Sequence, residues 1–284
     1  MTFVSYAQNF EDVLIQRIFS DINRGFYIDV GAAWPKQDSV TCAFYERGWT
    51  GINIEPNPKL HEALCQHRPN DINLNLALDS EPGYLNIFFF ANEGLSTADK
   101  KIANRHKGNG ESCLEQRIEC TTLRQICETY VQTGTSIDFL KIDVEGLERQ
   151  VLEGADFANF RPKLVIIEST EPMSIIPTWN EWEHLLVHNG YEFCYFDGLN
   201  RFYIDSAYDY LKSKFDIPVN LWDDFKTHEK VVLEDQVKSQ VDIISSLNSE
   251  REQIRNELDE ILNSRTWRYT HLLRKLMNHL KRTV

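Results

Sequence analysis

The stretch Phe26-Tyr27-Ile28-Asp29-Val30-Gly31-Ala32-Ala33 decides how this chain is read. A short, mostly apolar strand ends in Asp-x-Gly, which puts a flexible glycine where the chain turns sharply against a ligand. In an open α/β sheet, ligands gather at the carboxyl ends of the strands, near the point where strand order reverses. Taken alone, the stretch also fits an ordinary strand-turn-helix junction. Its surroundings have to choose.

From about Gly25 to Tyr203 short apolar runs alternate with amphipathic stretches, the pattern of βαβ units and a parallel sheet. The expected strands are Phe26–Val30, Gly51–Ile54, Ile72–Leu76, Ile137–Ile142, Leu164–Ile167, Tyr191–Phe196 and Arg201–Ile204. Tyr84–Phe90 reads as a strand of an inserted hairpin, and Asp197-Gly198-Leu199-Asn200 as the turn of a terminal one. Helices are expected over Thr41–Gly48, Pro58–His67, Thr122–Val131, Gly146–Gly154 and Trp179–Asn189. Residues 92–116 hold Gly, Asn, Ser and Lys without period and read as a long loop.

Composition sets the outer limits. The 284 residues are 42% hydrophobic and 26% charged, as in ordinary globular chains. No run approaches the ~18 apolar residues of a membrane span, and Met1-Thr2-Phe3-Val4-Ser5-Tyr6 lacks the features of a signal peptide. A cytoplasmic protein is expected. The scattered cysteines, Cys42, Cys65, Cys113, Cys120, Cys127 and Cys194, contain no C-x-x-C pair and read as reduced thiols. The net charge of −13 makes an acidic body that repels phosphates, so nucleic acid is not an expected partner.

The second strand closes in Ile52-Asn53-Ile54-Glu55-Pro56, with an acid at about the spacing used to hold a ribose diol. The G-x-G-x-x-G fingerprint is missing, because Ala32, Ala33, Trp34 and Pro35 follow Gly31. A dinucleotide pyrophosphate needs close backbone approach and a free helix N-terminus. A cofactor without phosphates does not, which tilts the reading from NAD toward S-adenosylmethionine (SAM). A third stretch, Asp138-Phe139-Leu140-Lys141-Ile142-Asp143-Val144-Glu145-Gly146, carries a buried strand into two acids and a lysine. These could form a base, a metal ligand set or an ion-pair network, and a bracing Lys–Asp pair at the helix entry is the plainer alternative.

With these stretches in hand, the chain resembles the FkbM family of SAM-dependent methyltransferases over roughly residues 4–226. The match is carried by Ser5-Tyr6-Ala7-Gln8-Asn9-Phe10-Glu11-Asp12, by Tyr27 to Thr41, by Gly48 to Pro56 and by Phe139 to Gly146. Asp197-Gly198-Leu199-Asn200-Arg201-Phe202-Tyr203 agrees as well. The resemblance implies a Rossmann-like class I methyltransferase fold, seven mostly parallel strands with the last antiparallel, over residues 1–227. It implies that Asp29 and Gly31 line the methionine end of SAM, with Ala32 beside them, and that Glu55 holds the ribose. Asp79 is the candidate for the adenine edge, and Gly94-Leu95-Ser96-Thr97 resembles a family loop that brings Ser96 and Thr97 to SAM or substrate. One departure stands out: many members read D-V-G-A-N-x-G, whereas Ala33-Trp34-Pro35 replaces the Asn and second Gly here. Gln37, Ser39 or a backbone N–H is then left to meet the methionine carboxylate.

The reaction this implies is O-methylation of a hydroxyl on a sugar or polysaccharide. In-line displacement at a sulfonium depends chiefly on alignment, worth ~7–11 kcal/mol, with a base adding ~10²–10⁴-fold. Asp143 or Glu145 is expected to take the hydroxyl proton, with Lys141 shaping their charge. No metal-ligand signature is present, so no metal is expected, and a Mg²⁺ held by the two acids is the variant reading. His184 and His188, four apart, lack the H-E-x-x-H context and read as surface histidines. Glu168 is placed loosely on the substrate side. An NAD-dependent oxidoreductase and a recruiting module with a degenerate methyltransferase domain are the alternatives.

After Phe225 the character changes. Leu233, Val237, Gln240, Ile244, Leu247, Arg251, Ile254, Leu258 and Ile261 recur at spacings of four and three, a heptad seam with Gln240 and Arg251 as polar breaks. Residues 228–264 are expected as a coiled-coil helix that makes a homo-oligomer through 230–262. One long helix packed on its own domain fits the same pattern. From Arg265 to Val284 there is no acid. Tyr269, Leu272, Leu273, Leu276, Met277 and Leu280 share one face, and Arg268, Arg274, Lys275, Lys281 and Arg282 carry charge. This basic tail, 265–284, suits the inner face of a membrane, an acidic or glycan-assembly partner, or a frayed end.

Overall fold

The computed structural model describes residues 2–91, 96–172 and 174–280. The chain divides into two compact units, Met1–Thr227 and His228–Val284. The first unit begins with β1 (Phe3–Ser5), α1 (Glu11–Ile18), β2 (Phe26–Val30), α2 (Cys42–Glu46), β3 (Thr50–Ile54) and α3 (Pro58–His67). It continues through β4 (Ile72–Leu74), β5 (Ala77–Leu78), β6 (Gly83–Phe90), α4 (Lys100–Gly108), β7 (Cys113–Thr121) and α5 (Leu123–Tyr130). It ends with β8 (Phe139–Ile142), α6 (Glu148–Glu153), β9 (Leu164–Glu168), α7 (Glu183–His188), β10 (Tyr191–Phe196), β11 (Asn200–Asp205) and β12 (Phe225–Thr227).

Seven strands form the main sheet in the order β10-β11-β9-β8-β2-β3-β4. β11 runs antiparallel to both neighbours and the other pairings are parallel. The apolar character of β2, β8 and β9 follows from their position: strands covered on both faces by helices have no polar side to offer. Aromatic side chains fill one face, where Phe44 packs against Trp49 at 5.0 Å and Tyr27 stacks on Phe139 at 5.6 Å. Parallel register sets Asp29 of β2 beside Lys141 of β8 and beside Asn53 of β3.

Several local expectations are corrected. Ile72–Leu76 does not stay in one strand: β4 ends at Leu74, and β5 joins a second sheet of order β5-β7-β6. The aperiodic stretch 92–116 contains α4 and the start of β7. Asp99 caps α4 by accepting from Lys101 N and Ile102 N, and β7 pairs antiparallel with β6 along the whole of that strand. The helix expected over Trp179–Asn189 is a 3-10 turn, Trp179–Glu181, followed by α7. β1 and β12, which pair in parallel, are too short to show a period in sequence.

The second unit comprises α8 (His228–Asn263) and α9 (Arg265–Leu280). Ser264 separates them, its Oγ accepting from Trp267 N at 3.2 Å. Within α9, Arg274 folds back over the Trp267 ring, 3.4 Å from its centroid, and donates to the Trp267 carbonyl at 2.9 Å. Part of the charge expected along the tail is therefore used on an aromatic neighbour. Lys281 and Arg282 lie outside the described residues. No helix among the described residues is long and apolar enough to cross a membrane.

Candidate functional site

From β2 the chain builds outward through β3 and β4, then returns to lay β8 and β9 on the opposite flank. The switch point thus falls between β2 and β8, and a cavity of 140 Å³ lies at the carboxyl ends of these strands. Its lining includes Gly31, Glu55, Ser96, Thr97, Asp143 and Glu145, so the fold brings together six of the residues singled out in sequence. Leu60, Leu78, Ile87 and Phe89 provide an apolar side.

Gly31 is required, for a reason the sequence does not reveal. Its φ is +76°, and a Cβ there would sit 1.8 Å from the Asp143 carbonyl oxygen. The glycine therefore makes room for the backbone after β8 rather than for a ligand alone. Lys141 ties the same crossing together: its Nζ donates to the Gly31 carbonyl at 2.8 Å and lies 3.3 Å from Asp143 and 3.5 Å from Asp29. Burial by itself would lower the Lys141 pKa, but Asp143 and Asp29 raise it above its ordinary value. Lys141 is a fixed cation.

Glu55 follows directly from β3. Its Oε2 accepts from Ala33 N at 2.9 Å and its Oε1 from Asn57 N at 2.8 Å. Two backbone donors fix the orientation of the carboxylate at the cavity wall. Burial raises its pKa to about 7, against the opposing effect of those two hydrogen bonds. Ala33 sits at φ +51°, a left-handed conformation that Asn and Gly tolerate better than Ala.

Asp143 and Glu145 meet a third acid, Glu168, at the end of β9. One carboxylate oxygen from each lies within 4.8 Å of the others. Burial, then repulsion from Asp143 and Glu148, pushes Glu145 up to about 9. Burial and the same neighbours hold Glu168 well above the usual carboxylate range. Like charges this close cannot all ionise, so the set either shares protons or neutralises a cation. Three carboxylates in this arrangement are also able to ligate a divalent ion. The loop itself is strained: Glu145 has φ +51°, Thr97 Oγ1 donates to its carbonyl at 2.6 Å, and Glu145 Oε2 is buried without a partner among the described residues.

Other expected site residues are placed differently. Asp29, only 1% exposed, is not among the described lining residues; its Oδ2 accepts from Thr41 Oγ1 at 2.8 Å. It braces Lys141 from below the site. Ala32 is also buried, its N–H directed to the Ile54 carbonyl. Asp79 turns its side chain to Ser80 N, outside the described lining. Ser39 is taken up by Arg68 and Cys42 N, and Gln37 donates to Asp38. Gly94 and Leu95 lie outside the described residues.

Two contributors were not foreseen. Arg68, 1% exposed, donates to the Pro35 carbonyl, to Ser39 Oγ and to Thr41 Oγ1, clamping the segment that follows Gly31. Glu148 Oε1 accepts from Val144 N and Gly146 N and so shapes the loop that carries Glu145. An isolated Arg before Pro and a Glu in a helix's first turn give no sequence signal of these roles.

An open, mostly parallel sheet with a crevice at its switch point, walled by a strand-end acid on each side, defines a Rossmann-like domain. Residues 29–193, more than half of the chain, match the family described as Methyltransferase FkbM domain, and the chain belongs to that family. Methyl transfer is the general chemistry of the domain. Among solved structures the chain is similar to a TehB-like SAM-dependent methyltransferase from Corynebacterium glutamicum ATCC 13032 Kitasato. That likeness has 10% identity and a TM-score of 0.36, covering 68% of this chain and 87% of the other. A superposition that loose carries no argument about ligand or acceptor. No curated protein matches the chain.

Proposed function

We propose that the domain transfers a methyl group from SAM to a hydroxyl of a sugar or polysaccharide. The observation that carries this reading is Glu55, a carboxylate held by two backbone N–H groups in the same cavity that exposes Asp143 and Glu145. Each Glu55 oxygen accepts one backbone donor and keeps a further lone pair, so the pair suits the vicinal hydroxyls of a ribose. Leu60, Leu78, Ile87 and Phe89 offer an apolar wall to a purine. The helix after Gly31 begins only at Cys42, so the first turn lacks the immediate helix N-terminus that a pyrophosphate uses; this favours SAM over NAD. At 140 Å³ the enclosed space is below the ~300–1,000 Å³ of ligand pockets, so a ligand seated on Glu55 reaches beyond it.

Bound SAM supplies an electrophilic methyl group. On the protein side, Asp143, ion-paired to Lys141, accepts the proton of the acceptor hydroxyl. Glu145, with a pKa pushed up to about 9, is protonated at neutral pH and donates a hydrogen bond to the acceptor. The carboxylates also match a sugar, whose neighbouring hydroxyls are donors to closely spaced oxygens. A second reading is favoured by Glu168 joining the pair: the three acids hold a divalent cation that lowers the hydroxyl pKa.

Calorimetry with SAM and NAD, joined to transfer of labelled methyl from SAM to a sugar and polysaccharide panel, tests both. Wild type should bind SAM, and Glu55→Ala should lose that binding. Asp143→Asn should keep it while turnover falls ~10²–10⁴-fold. Glu145→Gln retains a donor and most of its turnover. Activity abolished by chelator and restored by Mg²⁺ selects the cation reading. A folded wild-type chain that ignores SAM overturns both.

A further inference from the structure

Helix α8 runs unbroken for 36 residues, none of them buried among the described residues, and at 1.5 Å per residue it is about 54 Å long. Along one face Leu233, Val237, Ile244, Leu247, Ile254 and Leu258 are each 52–59% exposed. A two-in-seven seam belongs to helices that pair with helices, whereas a helix lying on a globular surface shows a wider apolar stripe. Monomers rarely leave so much contiguous apolar surface in water.

The polar breaks identify the occupant. Gln240 stands at a d position and Arg251 at an a position of the repeat. In a parallel, in-register pair every residue meets its own copy, so Arg251 faces Arg251 and two cations share an apolar seam, a costly arrangement. In an antiparallel pair a positions face d positions. Centred between Ser245 and Ser246, that pair sets Leu233 on Leu258, Val237 on Ile254 and Ile244 on Leu247. It also sets Gln240 on Arg251, an amide oxygen on a guanidinium donor. Ile261 lies outside residues 233–258, and the same register sets it on Lys230. Within 233–258 every apolar seam position meets an apolar one, and the polar breaks meet each other. The seam is self-complementary under a two-fold axis, the requirement for an isologous interface.

We propose that the protein forms a homodimer in which residues 233–258 of α8 pair antiparallel with the same residues of a second copy. The two helix amino ends then lie at opposite ends of the rod. Sedimentation equilibrium of the full chain is the test. Wild type should have twice the monomer mass of 33.2 kDa and dissociate on dilution. Leu247→Asp, next to the two-fold centre, should be monomeric, with thermal unfolding of the first unit unchanged as the folding control. Gln240→Glu separates the orientations: facing Arg251 it should tighten the dimer about tenfold, a change of ~1.4 kcal/mol. In a parallel pair it would set Glu on Glu and loosen the dimer. A monomeric wild type at tens of micromolar, a mass of three or more chains, or a looser Gln240→Glu dimer each overturns the proposal.

Discussion

Ile142 and Ile254 are the same side chain in opposite situations. Ile142, at the end of β8, is 0% exposed and surrounded by its own domain, whereas Ile254, on α8, is 58% exposed. The charges follow suit. Beside Ile142, Lys141 is enclosed by Asp29, Asp143 and the Gly31 carbonyl, while the acids and bases of α8 stand in solvent. In the sheet, the chain satisfies its own apolar pattern. Along α8 the pattern is equally regular and remains open, which is why a regular pattern alone does not say what it packs against.

Substitution at these two positions gives the largest expected contrast. Ile142→Ala should destabilise the first unit by ~2–5 kcal/mol, measured by urea unfolding. Ile254→Ala should leave that same transition within ~0.5 kcal/mol. Equal losses would mean that α8 is as integral to the domain as β8, and would break the comparison.

A second contrast lies in pH. Burial raises Glu11, Glu55 and Glu148 to about 7 and Glu145 to about 9. The folded domain therefore keeps protons that the unfolded chain releases above pH ~4.5, and stability falls as pH rises from about 5 to 9. The loss should exceed ~1.4 kcal/mol, the worth of a tenfold change in one group's proton affinity. Thermal melts across that range should drop steadily for the first unit. A flat profile would mean that these acids are solvated like those of α8.

The smallest effect concerns one backbone position. Ala33→Gly should relieve the left-handed strain at φ +51°. Net of the added freedom of an unfolded glycine, the gain is ~0.5–1 kcal/mol, a rise in melting temperature of about 2 °C. A lower melting temperature would mean that the Ala33 methyl does more for packing than its backbone costs.

Much of the site was legible because it lies at strand ends. Asp-x-Gly after β2, the acid after β3 and the Lys-Ile-Asp-Val-Glu run after β8 are short local patterns, and in a parallel sheet local patterns at strand ends converge. What stayed hidden depends on distant partners. α4 carries little apolar periodicity, yet Ala103 is 0% exposed and Ile102 packs over Gly146. Asp29 and Glu55 read alike as strand-end acids, but only Glu55 faces the cavity. β2 and β3 run parallel with Asp29 level with Asn53, so Glu55 stands two residues nearer the carboxyl ends, where the cavity lies. Arg68 and Glu168 acquire their roles only from the segments that fold against them.

The sequence by itself determined the alternation of strand and helix, the switch-point acids and the heptad spacing of α8, since each is a periodicity or a motif within a few neighbouring residues. The tertiary structure alone decided that Asp29 lies beside Lys141 and Thr41, that Glu168 joins Asp143 and Glu145, and that Gly31 is required by the Asp143 carbonyl. Those outcomes depend on the depth, register and burial of groups far apart in the chain, and side-chain direction and electrostatics exist only once those groups are brought together.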